Sequence, residues 1–129
     1  KELIKPTKIY VNEIIDLIDK NLINGCANIT GGGIEDNIKR IIPDKLGAEI
    51  NLNKIIPSKI FRWLKKNNLT DKEMLKTFNC GVGFCLIVKK KNLLKVLNNF
   101  SRRYKPYVVG KILNNKKKII LRDRLDWSK

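Results

Sequence analysis

Three consecutive glycines, Gly31, Gly32 and Gly33, stand between a short apolar segment and a segment with helical periodicity. Glycine has no Cβ, so its backbone can adopt positive φ and can approach a ligand closely. Where a strand turns into a helix, the first N–H groups of the helix lack intrahelical acceptors, and with the helix dipole they favour a phosphate or a carboxylate. The segment therefore predicts either a plain loop or an anion site, with its N–H groups turned outward at a concave edge.

Other kinds of chemistry are limited by what the sequence lacks. It has no His, so the commonest general base is missing and neither a Ser-His-Asp nor a Cys-His mechanism can be built from this chain alone. The three cysteines, Cys26, Cys80 and Cys85, do not have the spacing of a common zinc motif. We therefore predict no metal site. An odd number of cysteines without a secretion signal favours reduced thiols in a cytoplasmic protein.

The net charge of +16 is the most unusual property of the composition. Such a charge is typical of sequence-independent nucleic-acid binding. However, Lys, Ile and Asn are all in excess, share A- and T-rich codons, and the Lys runs at 65–66, 89–91 and 116–118 are scattered along the chain. The sequence favours a compositional bias on a solvated surface, and a basic nucleic-acid-binding module stays open as the alternative.

Hydrophobic periodicity predicts the elements that position the glycines. A capping box at Thr70 and Glu73 predicts the start of one helix. The continuous apolar run 82–88 predicts a central strand, the last two strands predict an edge hairpin joined at 114–115, and the basic tail 122–129 is expected to be poorly ordered. The order of elements predicts one α+β domain (α/β/α layered) with a mixed sheet covered by helices. Helices are predicted over 11–22, 34–42, the residues after Pro57, the residues after Thr70 and 92–100, and strands over 26–30, 48–52, 82–88, 107–113 and 118–121.

Four motifs in register resemble the family of aminoimidazole ribonucleotide synthetase, the phosphoribosylformylglycinamidine cyclo-ligases. They are Pro6–Tyr10, Ile29–Gly33, Asn37–Arg40 and Thr77–Gly83, and the similarity runs from about Pro6 to Leu121. The resemblance implies that residues 1–129 are a single C-terminal domain of such an enzyme and that its N-terminal ATP-binding domain is absent from this chain. We expect this part alone to be inactive and to expose an apolar face where the missing half docks.

The activity implied by the resemblance is an ATP-dependent ring closure in purine biosynthesis. Formylglycinamidine ribonucleotide, a phosphorylated small molecule, would become aminoimidazole ribonucleotide, with release of ADP and phosphate. The implied cofactors are ATP and Mg²⁺, held mainly by the missing N-terminal domain, and the implied assembly is a homodimer of the full-length protein. Neither a membrane nor a nucleic acid is expected as a partner. A non-catalytic remnant of the enzyme is the alternative to an active ligase.

The resemblance also implies a set of residues that bind substrate or phosphate. Thr30 and the three glycines match the family's glycine loop, whereas Asn37, Arg40 and Asn79 match positions for which a structural role is the alternative. No catalytic residue is assigned. The family usually has His where this chain has Asn28, and Asn can form hydrogen bonds but cannot carry a proton at neutral pH. The candidate binding residues are Thr30, Gly31, Gly32, Gly33, Asn37, Arg40 and Asn79.

Overall fold

A computed structural model describes residues 6–101, 104–116 and 118–129. Within this part, five α-helices, two short 3₁₀ helices and five strands confirm the predicted α+β class. Lys117, in the predicted Lys run 116–118, lies outside the described residues. The helices are α1 Val11–Asp19, α2 Gly33–Ile41, α3 Lys59–Lys65, α4 Asp71–Thr77 and α5 Leu93–Asn98, and the strands are β1 Gly25–Asn28, β2 Gly47–Asn51, β3 Phe84–Ile87, β4 Gly110–Leu113 and β5 Ile119–Arg122.

The strands form two separate sheets. β1 and β3 make an antiparallel ladder in which Ala27 lies opposite Cys85 and Asn28 opposite Phe84. β2 is the centre of a three-stranded mixed sheet, antiparallel to β4 on one side and parallel to β5 on the other. The predicted mixed sheet is therefore present, but the apolar run 82–88 is not its central strand, because β3 pairs with β1 alone in the described part of the chain.

The predicted edge hairpin between the last two strands is wrong. β4 and β5 lie on opposite sides of β2 and do not pair with each other. β2 offers hydrogen-bonding groups on both edges while its side chains Ala48 and Ile50 are buried in the core, so each of the two strands pairs with it instead. Just before β5, the Lys118 carbonyl accepts the Ala48 N–H of β2 at 3.0 Å.

The prediction of a poorly ordered tail is also wrong. Leu125 is 5% exposed and belongs to the main hydrophobic core. The Trp127 indole N–H donates to Asp71 Oδ1 at 3.1 Å, and Lys129 Nζ donates to the Asn53 carbonyl at 2.6 Å. The burial of Leu125 and the hydrogen bond of the Trp127 indole hold this segment in place. The prediction of poor order had rested on its basic charge alone.

The core holds α2 against both sheets. Ile34 and Ile38 of α2 are buried with Ala27 of the ladder and Ile50 of the mixed sheet. α2 ends before Pro43, which cannot continue a helix. In the described ranges no helix is long and apolar enough to cross a membrane.

The predicted capping box is confirmed at the start of α4. Thr70 Oγ1 accepts the Glu73 N–H at 3.2 Å, and the Thr70 N–H donates to Glu73 Oε2 at 2.7 Å. These reciprocal bonds satisfy two donors that the helix itself cannot satisfy. The position at which α4 begins is thus fixed locally, and α4 is the helix that packs behind the glycines.

Candidate functional site

Two turns meet at one end of the β1–β3 ladder. The first, here called the glycine loop, is Thr30–Gly33, and the second turn is Asn79–Gly83. The ladder is antiparallel, so the end of β1 lies beside the start of β3, and Ile29 N–H donates to the Gly83 carbonyl at 2.9 Å. The structure therefore brings six of the seven predicted site residues, all but Arg40, to one edge of the domain.

Asn37 holds the glycine loop from the inside. Its side chain is 6% exposed, and its Nδ2 donates to the Gly33 carbonyl at 2.7 Å. The same amide lies 3.3 Å from the Gly31 carbonyl and 3.4 Å from the Thr30 carbonyl. One buried amide thus lies within hydrogen-bond distance of three carbonyl groups of the loop.

The structure gives a different account of why glycine occupies each of the three loop positions. Gly33 has a φ of +62°, and a Cβ there would lie 1.8 Å from the Leu75 carbonyl oxygen of α4. Gly32 has a φ of +89°, and its Cβ would lie 2.9 Å from Asp36 Oδ2. Gly31 has no heavy atom within 4 Å of the same position. Backbone conformation and packing therefore require glycine at two positions, and only Gly31 is free of both requirements.

The prediction that all three glycine N–H groups turn outward is wrong for Gly33, whose N–H donates to the Thr30 carbonyl at 3.1 Å. The N–H groups of Gly31 and Gly32 make no hydrogen bond within the described part of the chain. These two groups lie at the positive end of the α2 dipole, where an anionic oxygen is stabilised. The loop thus offers two donors rather than three.

Asn79 and Arg40 differ in their relation to the loop. Asn79 Oδ1 accepts the Gly81 N–H at 3.0 Å, and its carbonyl accepts the Val82 N–H at 2.9 Å, so the side chain shapes the second turn. Arg40 is exposed near the other end of α2. Arg40 stands seven positions after Gly33, which corresponds to about 10 Å along a helix axis. The structure does not bring Arg40 to the glycine loop.

A cleft of about 570 Å³ lies beside Gly32, and of the glycine loop it is Gly32 that lines it. Its walls carry charges of both signs from the first turn of α2, from α4 and from the tail. Among the described residues, no three or more His, Cys, Asp or Glu side chains are grouped so that they could hold a metal ion. The charged lining residues are Glu35, Asp36, Asp71, Lys72, Lys76, Asp123 and Arg124.

A second, larger groove of about 600 Å³ lies between the outer edges of β3 and β4. Tyr10 stands in it, with ring centroids 5.2 Å from Phe84 and 5.7 Å from Tyr104. A Cβ at Gly83 would lie 2.4 Å from the Tyr10 hydroxyl, so this glycine makes room for the tyrosine. Burial raises the pKa of Tyr10. Tyr10 is absent from the predicted set, although its motif, Pro6–Tyr10, carries part of the resemblance.

Asn28 ends β1 immediately before the glycine loop. It is exposed and lies directly opposite Phe84 in the ladder. Its amide can donate and accept hydrogen bonds at the edge that both turns share. The position that usually carries His in the resembled family is therefore at the candidate site.

The thiols behind the two turns are not poised to react. Burial raises the pKa of Cys80 to about 11 and that of Cys85 to about 12. Cys80 Sγ lies 3.5 Å from the Met74 carbonyl. The thiolate is the nucleophilic form, so both side chains act as small buried apolar groups at neutral pH.

Comparison with known protein families shows which family this chain belongs to. Residues 1–122 match the family described as AIR synthase related protein, C-terminal domain. The chain belongs to this family. The resemblance found in the four motifs is thereby confirmed, since the match extends over both turns and the Pro6–Tyr10 motif.

Individual relatives agree with the family. The chain is 44% identical over 127 residues to a phosphoribosylformylglycinamidine cyclo-ligase of Carboxydothermus hydrogenoformans, a match that covers 95% of this chain and 36% of the relative. It is 41% identical over 113 residues to the chloroplastic/mitochondrial cyclo-ligase of Vigna unguiculata, covering 87% of this chain and 29% of the relative. The chain thus spans about a third of the length of these relatives.

A solved structure shares the fold. T. maritima PurL complexed with AMPPCP matches with a TM-score of 0.58 and 14% identity, covering 89% of this chain and 19% of that one. At this identity the match shows the fold alone. It agrees with the α+β arrangement of the C-terminal domain family.

Proposed function

We propose that this chain is the C-terminal domain of an ATP-dependent cyclo-ligase that closes the imidazole ring of formylglycinamidine ribonucleotide in purine biosynthesis. The observation that carries the proposal is the 44% identity to a cyclo-ligase over nearly the whole chain. The geometry supports it, because both glycine-containing turns lie at one end of the β1–β3 ladder and Gly32 of the first turn lines a cleft.

In this proposal the domain supplies one wall of the active site. The N–H groups of Gly31 and Gly32 donate to an anionic oxygen of the phosphorylated substrate, while Asn37 fixes the loop from behind. Asn28 and the second turn border the same edge and orient the substrate. Such a ring closure depends on positioning and on stabilising developing charge, which backbone donors held rigidly can provide without a protein nucleophile.

ATP would be held mainly by a domain that precedes this chain in the complete protein. T. maritima PurL, which shares the fold, is complexed with the ATP analogue AMPPCP. Bound ATP would supply the phosphoryl group that activates the formamide oxygen of the substrate. The described residues do not fit a Mg²⁺ site of three or more carboxylate, thiol or imidazole groups, so we derive no step through Mg²⁺ in this chain. A homodimeric assembly and a cytoplasmic location are part of the same proposal, and free Cys26, Cys80 and Cys85 agree with a reducing compartment.

The partner domain would dock on α1. Val11, Ile15 and Ile18 are exposed on one side of this helix at spacings of four and three residues, and exposed Ile9 precedes them. The helix carries only acidic charges, Glu13, Asp16 and Asp19, within a chain of net charge +16. An apolar stripe with acidic flanks fits a partner surface that is apolar with basic flanks. Because the chain spans about a third of its relatives' length, the preceding domain is the occupant that we propose.

The test is a cyclo-ligase assay on the complete protein with formylglycinamidine ribonucleotide and ATP. We expect ring closure by the complete protein and none by residues 1–129 alone. In the complete protein, Gly31→Ala should raise the KM for the ribonucleotide without unfolding the domain, because a methyl group there meets only open space. Trp63→Phe on the exposed face of α3 is the matched control and should leave the KM unchanged. Turnover by the fragment, or no turnover by the complete protein, contradicts the proposal.

A further inference from the structure

The last seven residues, 123–129, here called the C-terminal strap, form part of the cleft beside the glycine loop. The family match ends at residue 122, so the strap lies beyond the matched domain. Asp123 and Arg124 nevertheless line the same cleft as Gly32. Two residues just past the matched range thus line the cleft beside the candidate site.

A continuous path of contacts leads from the strap to the loop. The Trp127 indole N–H donates to Asp71 Oδ1 at 3.1 Å, and Lys65 Nζ lies 3.0 Å from the same oxygen. Asp71 is the first residue of α4, and Leu75 stands four residues later, one turn along the same face. The Leu75 carbonyl is the group that a Cβ on Gly33 would meet at 1.8 Å. The strap therefore bonds to the start of the helix whose next turn supports the loop.

The strap is itself held in place, so it can act as a fixed support. Leu125 is buried in the main core. Asp123 has a φ of +59°. Asp126 Oδ1 accepts the Ser128 N–H at 3.0 Å and the Ser128 hydroxyl at 2.6 Å, which closes a turn on either side of Trp127.

We propose that Trp127 is a positioning residue, which holds α4 against the glycine loop through Asp71 and so keeps the free N–H groups of Gly31 and Gly32 in their binding orientation. The identity of the bound anion rests on the function proposed above. The mechanical coupling between the C-terminal strap and the glycine loop is independent of that function, because it can be measured without substrate.

The test is amide hydrogen exchange, followed by NMR on the 129-residue chain. Trp127→Phe keeps an aromatic ring but removes the indole donor. We expect the Gly33 amide, which donates to the Thr30 carbonyl, to exchange about tenfold faster in this variant, as loss of one charge-assisted hydrogen bond would produce. The Asn24 amide, bonded to the Ile87 carbonyl at the far end of the ladder, should change less than about twofold.

Two further variants sharpen the result. Trp63→Phe changes the other tryptophan, which is 57% exposed, and should leave the exchange rate of the Gly33 amide unchanged. Asp71→Asn keeps an acceptor for the indole and should have a smaller effect than Trp127→Phe. The proposal is overturned if the exchange rate of the Gly33 amide is unchanged in Trp127→Phe. It is also overturned if the Gly33 and Asn24 amides exchange faster by the same factor, because Trp127 would then only stabilise the fold as a whole. A complete protein without ligase activity whose Gly33 amide still responds would refute the proposed function and leave the coupling intact.

Discussion

Gly33→Ala is the substitution for which the structure makes its sharpest prediction. The new Cβ would lie 1.8 Å from the Leu75 carbonyl oxygen, 2.9 Å from the Leu75 carbonyl carbon and 3.3 Å from the Phe78 carbonyl oxygen. All three atoms belong to the backbone, so no side-chain rotation can relieve the contact. α4 and the second turn must move away from the glycine loop, or the loop must change its conformation.

The change in the free energy of unfolding combines two effects that destabilise the folded state and one that opposes them. A non-glycine residue at the φ of +62° costs about 1–2 kcal/mol. Forcing packed backbone apart costs about 1–3 kcal/mol, and the lower chain entropy of unfolded Ala returns about 0.4–1 kcal/mol. The middle values of these three ranges combine to about 3 kcal/mol, so we expect Gly33→Ala to lower the free energy of unfolding by about 2–4 kcal/mol, a large part of the stability of an ordinary domain.

The assay is urea unfolding of the 129-residue chain followed by far-ultraviolet circular dichroism. With a slope of about 2 kcal/mol per M, the midpoint should fall by about 1–2 M. Gly31→Ala, two residues earlier, is the matched control, because nothing lies within 4 Å of its Cβ, and its midpoint should stay level or rise slightly. If the two variants unfold within about 1 kcal/mol of each other, α4 does not support the loop and the reasoning about this turn is refuted.

Four further predictions concern the loop, the thiols, the charge and the edge residue. Asn37→Ala removes the amide that contacts three carbonyl groups of the glycine loop and should lower the free energy of unfolding by about 1–3 kcal/mol in the same urea assay. An unchanged midpoint would show that water replaces the amide. The pKa of Cys85 is raised from 9.0 to about 12, so its contribution to stability is fully present below pH 9.0 and is lost as the pH rises toward 12. Melting temperatures of Cys85→Ala should therefore depend less steeply on pH above 9 than those of the parent, and parallel slopes would contradict the burial of this thiol. If the charge is a compositional bias, duplex DNA should bind only weakly and without sequence preference, and the affinity should fall roughly 10³-fold or more between low and physiological salt. Tight binding to one sequence at physiological salt would favour the nucleic-acid alternative. In the complete protein, Asn28→His should preserve or raise ligase activity in a steady-state assay, and a loss would show that the site has adapted to the amide.

Local signals in the sequence were sufficient for most helices. The capping box at Thr70 and Glu73 forms as predicted, and Pro43 ends α2, because both signals act within one turn of chain. The glycine loop was located correctly for the same reason. What the loop sequence could not show is that Gly33 packs against Leu75, since that contact joins residues 42 positions apart.

The errors concern pairings between distant residues. Adjacent strands joined by Asn114–Asn115 have the sequence pattern of a hairpin, yet β2 competes for both of them and pairs with each. The basic composition of 122–129 hid one leucine and one tryptophan whose partners, the core and Asp71, lie far away in the chain. Tyr10 was likewise missed, because its place over Gly83 depends on the packing of separate segments.

The arrangement of the mixed sheet has a consequence for synthesis of the chain. β2, at residues 47–51, is made before both of its neighbours, which come from residues 110–122. While the chain emerges from the ribosome, β2 therefore has two open edges until some 60 to 70 further residues have been added. At a translation rate of about 5–20 residues per second, this interval lasts for seconds. An unpaired strand with alternating apolar residues is then a template for contacts with other nascent chains, so synonymous codons that slow elongation between residues 52 and 110 should increase aggregation without any change in the protein's sequence.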